Sequence, residues 1–539
     1  MANTMYGIGA GNMLFGTYLD GWVYGPTGYD GIWNAGDGDQ STTEGADKAP
    51  DDRFSARSSE VVRGTANDDF YELYRHFTTS VDTYGGDDSV HVYGSGDYNV
   101  DTGADDDDLV IATSGEVEAN LGSGDDLVRV ARVGDHIIEG GSGEDVFQIN
   151  ATLNSPDYKW IVDLAAGTLE QSTYRSNRTN PEVNPTTHFS GFEIFKGSDT
   201  DDRFIGTDQR DEVYGRDGDD YLDGQGGNDF FRGGDGDDGM SGGAGDDVFH
   251  GDRGDDSFSG QEGSDRAYGG TGNDDLSGGD GNDFLYGHAG DDELWGGYGD
   301  DFLQGGSGDD WIIAGAGSDT VYAGDGADRV SAAWGDADAG SDFFDGGAHG
   351  HRNGVQTQET ANHLSYAGSW KEVFIDNSEG VVSGPGAGYE EFSNGILMHR
   401  DTFVNFQSFA GGHGDDTFRA SSNGGVDEWF RGNQGDDLFL ANAGNEYFNG
   451  SHKYIDEDPD GGNDTVDYRH FTGKIDVDLR ATKGRHRCLT RCSGATPSPE
   501  GNTNTPIATS KTSPGRIRMT ASMATTMTTC WRGARASTF

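Results

Sequence analysis

The chain has 539 residues, of which only 32% are hydrophobic, and a formal net charge of −60. That composition belongs to a disordered polyanion unless the acids are placed in phase with a fold. It repels nucleic acid, and no apolar run approaches the 18 residues of a transmembrane helix. The first 479 residues contain no cysteine, so no disulfide framework supports the structure.

Residues 1–60 are rich in Gly, Tyr and Trp (Trp22, Tyr24, Tyr29, Trp33). They read as short strands and turns that cap the open end of a solenoid. The opening MANTMYGIGAGNMLFG lacks a basic segment followed by a solid apolar core and is a poor secretory signal. Over 61–145, GTANDDFYE (64–72) introduces loops that close on Asp88, Asp108, Asp126 and Asp145, spaced 20, 18 and 19 residues apart. Each is followed by a strand-like run: SVHV, LVIA, LVRV or VFQI. The spacing suggests a coiled β-structure with one loop per coil, on one edge only. Residues 146–196 break this pattern with WIVDLAAG (160–167) and FEIFKGSDTDDRF (192–204), a strand, a variable loop and a returning strand.

Residues 197–331 are fifteen nine-residue units in unbroken register, such as GRDGDDYLD (215–223), GGAGDDVFH (242–250) and GGSGDDWII (305–313). The consensus is G-G-x-G-x-D-x-U-x, with U apolar. Position six is always aspartate: Asp202, Asp211, Asp220, Asp229, Asp238, Asp247, Asp256, Asp265, Asp274, Asp283, Asp292, Asp301, Asp310, Asp319 and Asp328. Glycines at positions one, two and four are expected to take positive φ and bend six residues into a tight loop with carbonyls turned inward. The aspartate adds a hard carboxylate oxygen, the kind calcium prefers. Positions seven to nine form a short strand with only position eight inward. Two units make one coil, so loops stack on both edges and a cation between stacked loops takes oxygens from units i and i+2.

This nonapeptide resembles the RTX, or hemolysin-type, calcium-binding repeat. The resemblance implies an all-β, right-handed parallel β-roll, a β-solenoid with embedded spacer modules. It also implies calcium as the cofactor, in multiple copies. Stacking fifteen units with degenerate ends suggests eight to eleven ions in the regular roll. About seven and a half coils would span roughly 36 Å at about 4.8 Å per coil. The function implied is a secreted calcium-binding protein whose roll folds on binding calcium. The alternative is an exported enzyme, a hydrolase, or a toxin or adhesin carrying such a module. Proteins of this family leave Gram-negative bacteria by type I secretion with an uncleaved C-terminal signal. The secretion machinery is then a partner where the native C-terminus is intact, and the location is extracellular or at the cell surface.

A second spacer is expected over 332–410, with EVFIDNSEG (372–380) and a return through FVNFQSFAGGHGDDTF (403–418). Over 411–479, GGHGDDTFR (411–419) and GNQGDDLFL (432–440) restart the roll with Asp416 and Asp437 in the ligand position. A third spacer then begins at NDTVDYRHFTGKIDVDL (463–479), whose YRHFT (468–472) also occurs at 74–78 and makes His76 and His470 structural. With Asp126 and Asp145 from the first stretch, these aspartates complete the expected metal ligands. No HExxH zinc motif occurs. Ser241 in GMSGG (239–243) falls at position nine of a repeat, outside any strand-to-helix context. Cys488 and Cys492 lack the partner pair of a zinc site. DEDPDG (456–461) alternates carboxylates as an EF-hand loop does, but position twelve is Asp467 and the flanks are not helical, so an acidic turn is the favoured reading.

From 480 the composition turns basic, with ten Lys or Arg and one acid, Glu500. Read one base upstream, Met519–Thr520 and Met527–Thr528 each force an Asp codon, Met523–Ala524 a Gly codon and Cys530–Trp531 a Leu codon. The shifted frame permits a match to FEIFKGSDTDDRFIG (192–206), so residues 480–539 read as a frameshifted, disordered tail. Resequencing across codons 478–539 is expected to reveal the shift; a clean read whose shifted bases encode no repeat would refute it.

Overall fold

The computed structural model describes residues 61–75, 78–150, 158–173, 185–332, 340–349, 361–367, 369, 372–383, 401–422, 427–442, 445–449 and 465–467. It adds the backbone of short strands at 4–9, 12–19, 22–24, 33–34, 42–43, 474–478, 487–489 and 516–519. The described residues contain strands and turns and no helix; the first four strands pair antiparallel in a sheet of their own, and the others build a parallel β-solenoid. The chain divides into two units, Met1–Ser257 and Phe258–Phe539.

In the first unit two parallel sheets grow side by side as the chain coils. One contains Thr79–Asp82, Tyr98–Ala104, Val117–Ser123 and Ile137–Ser142. The other contains Ser89–Gly94, Asp108–Thr113, Leu127–Val130 and Val146–Ile149. Alternation puts every second side chain inside. Val90, Leu109, Val128 and Phe147 therefore stack one per coil, all buried. The coil length is 19 residues here (Leu109↔Val128) and 18 in the nonapeptides (Val213↔Phe231).

The first spacer inserts antiparallel strands into one sheet. Thr168–Thr173 pairs antiparallel with both Tyr158–Asp163 and Thr186–Ser190. The outer two rejoin the parallel ladder, Thr186–Ser190 on Ile137–Ser142 and Tyr158–Asp163 on Asp202–Ile205. In the other sheet Val146–Ile149 pairs directly with Ile194–Lys196, so that ladder is unbroken. Trp160, Val162 and Leu169 are buried, and Phe147 meets Phe189 at 4.8 Å between ring centroids.

In the second unit parallel nonapeptide sheets contain Phe284–Ala289, Phe302–Ser307 and Thr320–Gly326 on one side. Glu293–Tyr298, Trp311–Ala316 and Arg329–Ser331 form the other. The position-eight residues Leu285, Leu294, Leu303, Ile312, Val321 and Val330 are all buried. The second spacer repeats the plan of the first. Val381–Ser383 pairs antiparallel with Phe374–Asp376 and Asp401–Val404, which rejoin the ladder at Thr417–Arg419 and Phe343–Asp345. The opposite sheet runs on unbroken through His363–Ser365, Ser408–Ala410, Asp427–Arg431 and Asn445–Asn449.

Two expectations change. The strands are longer than positions seven to nine: Val248–Arg253 runs on through positions one to three, and the inward face gains position one. Position one is also not where φ turns positive. Positions two and four are, as at Gly234 (φ 130) and Gly236 (φ 144), even where position two holds Arg216, Gln225 or His288. A Cβ on Gly236 would stand 2.1 Å from the Gly218 carbonyl oxygen. Gly236→Ala should therefore lower the melting temperature in calcium, followed by circular dichroism, whereas Gln225→Gly (φ 70 in the native chain) should hold or raise it.

Candidate metal centre

Each nonapeptide loop delivers its position-six aspartate to the interior, where the carboxyls from Asp202 to Asp328 are 6% exposed or less. They form ladders one coil apart. The backbone N–H of Asp202 donates to Asp220 Oδ1 at 2.7 Å, Asp211 to Asp229 at 2.8 Å, and Asp220 to Asp238 at 2.8 Å. In the second unit Asp283 donates to Asp301 at 2.8 Å, Asp292 to Asp310 at 3.0 Å, and Asp310 to Asp328 at 3.1 Å. The remaining nonapeptide aspartates, Asp247, Asp256, Asp265, Asp274 and Asp319, take the same buried place.

A second ladder runs the opposite way on the rim and was not foreseen. The N–H of Asp237 donates back to Asp219 Oδ1, Asp255 to Asp237, Asp300 to Asn282 Oδ1, and Asp309 to Asp291. Its sequence signal is the Asp, Asn or Ser at position five of every unit except those with Arg210 and Ala327. The two ladders hold successive loops in register, so their inward oxygens stack.

One oxygen per loop remains. The Oδ2 atoms of Asp220, Asp229, Asp238, Asp283, Asp292, Asp301, Asp310 and Asp328 are buried without a hydrogen-bond partner. Space for them comes from the position-one glycine: a Cβ on Gly215, Gly224, Gly233 or Gly278 would stand 2.1 Å from the Oδ2 of its own loop. Burial drives these carboxyls toward the neutral form. It raises Asp229, Asp238, Asp310 and Asp328 to about 7, Asp301 to about 8 and Asp220 to about 9. Neighbouring aspartates in the column push the same way, and the ladder N–H groups oppose them. A buried, unpartnered carboxylate beside stacked carbonyls fits a hard divalent cation. Among the described residues no three His, Cys, Asp or Glu side chains converge. Each regular loop offers one buried carboxylate, a hard oxygen donor of the kind calcium takes.

Some loop aspartates are held by an N–H of their own loop, although Asp202 Oδ1 stays buried without a partner. Asp202 Oδ2 accepts from Ser198 N–H at 2.6 Å, and Asp211 Oδ2 from Thr207 N–H at 2.7 Å. Thr65 N–H does the same for Asp69, and Gly412 N–H for Asp416. In the second unit Asp328 N–H meets Asn362 Oδ1, and Asp401 Oδ2 takes the Tyr366 hydroxyl at 2.6 Å.

In the first stretch the buried loop aspartate is Asp107, not Asp108. Asp88 N–H donates to Asp107 Oδ1, and Asp107 N–H to Asp126 Oδ1. Asp108 opens a strand and pairs with Arg129. The inward residue Leu109 fixes this register, two places after the loop acid. Asp126 donates in turn to Asp145, whose own N–H meets Glu193. Position one here is Thr83, Thr102 or Leu121 until Gly140, so side chains fill the space that glycine leaves open further on.

In the later stretch Asp416 N–H donates to Asp437 Oδ1 at 2.9 Å. Two further buried acids escaped the sequence reading: Glu428 and Glu446, each 1% exposed. Their signal was a carboxylate two places before an inward phenylalanine, Phe430 or Phe448. Ser241 lies within the strand Gly239–Ala244, not at a strand-to-helix turn. His76, His470, DEDPDG (456–461), Cys492 and Cys530 lie outside the described residues, as do residues 480–539 except two short backbone strands, one of them containing Cys488.

The family model of the RTX calcium-binding nonapeptide repeat matches residues 196–231, 224–258, 232–267, 259–294, 268–303, 295–330 and 422–451. No curated protein gives a significant match to the chain.

The raised carboxyls set a pH dependence for the cation-free protein. Their folded pKa lies above the unfolded value of about 3.9, so their stabilisation is full below about pH 4 and is lost as pH rises through about 7 to 9. Chain stripped of divalent cations should melt higher at pH 5 than at pH 8.5. In saturating calcium the order should reverse, because protons then compete with the cation. Unchanged order in the two conditions would contradict this.

Proposed function

From a chain that carries RTX calcium-binding nonapeptide repeats on a β-solenoid, we propose a secreted protein whose roll completes its folding on calcium. The ions sit between stacked loops and take the position-six carboxylates from Asp220 to Asp328, with Asp437 in the later roll. The single observation that carries this is the row of buried Oδ2 atoms without a partner. Stacked carboxylates about 5 Å apart repel by roughly 0.8 kcal/mol per pair in water, and by more at the lower effective dielectric of a protein. A cation removes that repulsion and makes bonds available only to the folded chain.

Asp126 and Asp145 also bury an Oδ2 without a partner and join this set, with Leu121 rather than glycine at position one of the Asp126 loop. Asp202, Asp211 and Asp416 act as starting loops, because an N–H of the loop itself holds Oδ2, the oxygen that Asp220 and Asp229 leave without a partner. Release to the extracellular space by type I secretion fits such a fold, because a chain that orders only in millimolar calcium stays extended in a low-calcium cytoplasm. No helix among the described residues is long and apolar enough to cross a membrane.

The full chain should gain β-sheet circular dichroism on moving from chelator to millimolar calcium and bind eight to eleven ions in its regular roll by titration calorimetry. Magnesium should substitute poorly, since it demands a small octahedral site. Asp292→Asn should raise the calcium midpoint, while Leu285→Ser should cost roughly 3 kcal/mol even at saturating calcium. Identical spectra with and without calcium would end this reading.

A further inference from the structure

The later roll departs from the aspartate rule on one edge. Residues 441–449, ANAGNEYFN, keep the nonapeptide frame with Phe448 at position eight but place Glu446 at position six. Glu428 stands in the same relation to Phe430. The strands Asp427–Arg431 and Asn445–Asn449 pair in parallel with Glu428 opposite Glu446. Phe430 stacks on Phe448 at 5.6 Å and Trp429 on Tyr447 at 5.4 Å, so the packing around the acids fixes that register.

The two carboxylates lie inside the roll, each 1% exposed. Glu428 accepts from Ser421 N–H at 3.2 Å and from the Asn377 side-chain amide. Glu446 Oε1 accepts from Asn442 N–H at 3.0 Å. Glu446 Oε2 is buried with no partner. Amide groups and a serine hold the pair, and the Glu428 carboxylate repels that of Glu446. Two buried acids thus stand in register on adjacent strands, and one oxygen of Glu446 is unused, an arrangement costly for two anions.

We propose that Glu428 and Glu446 form a divalent-cation site of their own, a glutamate-built calcium site in the later roll. It rests on the reading that position-six carboxylates of these loops take calcium. Glutamate reaches one methylene further than aspartate and can offer both oxygens to one ion, a mode calcium accepts and magnesium resists. The competing account is a pair sharing one proton, as close carboxyls do. Glutamine copies a protonated glutamate in shape, so it separates the two.

The test compares the wild-type full chain with Glu446→Gln, Glu428→Gln and Asp292→Asn, counting bound calcium by equilibrium dialysis and following thermal melting in chelator and in calcium. The expected result is one calcium fewer in each Gln variant and a lower melting temperature in calcium, with no gain in chelator. An unchanged calcium count together with a raised melting temperature in the Gln variants would establish the shared proton and overturn the site. If wild type itself binds no calcium, the general reading fails and this one with it. If wild type and Asp292→Asn behave as proposed above while Glu446→Gln keeps every ion, only this site fails. Should the Gln variants not fold, Glu446→Asp decides: folding with the wild-type ion count supports the site, and failure to fold overturns it.

Discussion

The structure turns on lines of buried carboxyls. Each nonapeptide sends one aspartate inward, stacks it over the aspartate of the next coil, and holds one of its oxygens with a backbone N–H. The other oxygen has no protein partner in most of these loops. Like charges aligned in a low-dielectric interior oppose folding, and the apolar column beside them is narrow. Protons or a divalent cation relieve that opposition, and the cation takes over as pH rises past the raised carboxyl values. Glycine at position one of most regular loops fits the same constraint, because a Cβ there would crowd the carboxylate as these loops hold it, and only Ala314 and Ala323 replace it in the regular roll.

The loops at the ends of each column show how the fold limits this demand. Where a column begins, a Ser or Thr at position two leaves its backbone N–H free to hold the aspartate from within the loop. Where it ends, Asn362 supplies a neutral amide and Tyr366 a hydroxyl. Such contacts let the chain itself serve part of the demand of these buried acids.

The spacers use the freedom of a two-sheet solenoid. One sheet takes up three strands, the middle one antiparallel, while the opposite sheet continues its parallel ladder without a break. Register is therefore carried across each insertion by the intact sheet. The inserted strands still contribute to the core, through Trp160, Val162 and Leu169 in one spacer and Ile375 and Val382 in the other.

The sequence by itself determined the fold class, the inward position-eight column and the identity of the regular loop acids, because all three follow from a strict nine-residue period. Periodicity reports which side chains share an environment. It does not report what an oxygen touches. That Asp107 and not Asp108 enters its column depended on which neighbour, Leu109 or Val110, faces inward, and a run of four aspartates hides this. That position one serves space and position two serves φ depended on backbone contacts between coils. The starting loops at Asp202 and Asp211 match the regular repeats at position six, and only the Ser198 and Thr207 N–H groups set them apart. Glu428 and Glu446 were hidden because a consensus searched for aspartate passes over glutamate; it took the pairing of their strands to bring the two carboxyls together. Such local facts arise from coil-on-coil contacts between residues 18 or more positions apart, and these exist only once the chain has wound.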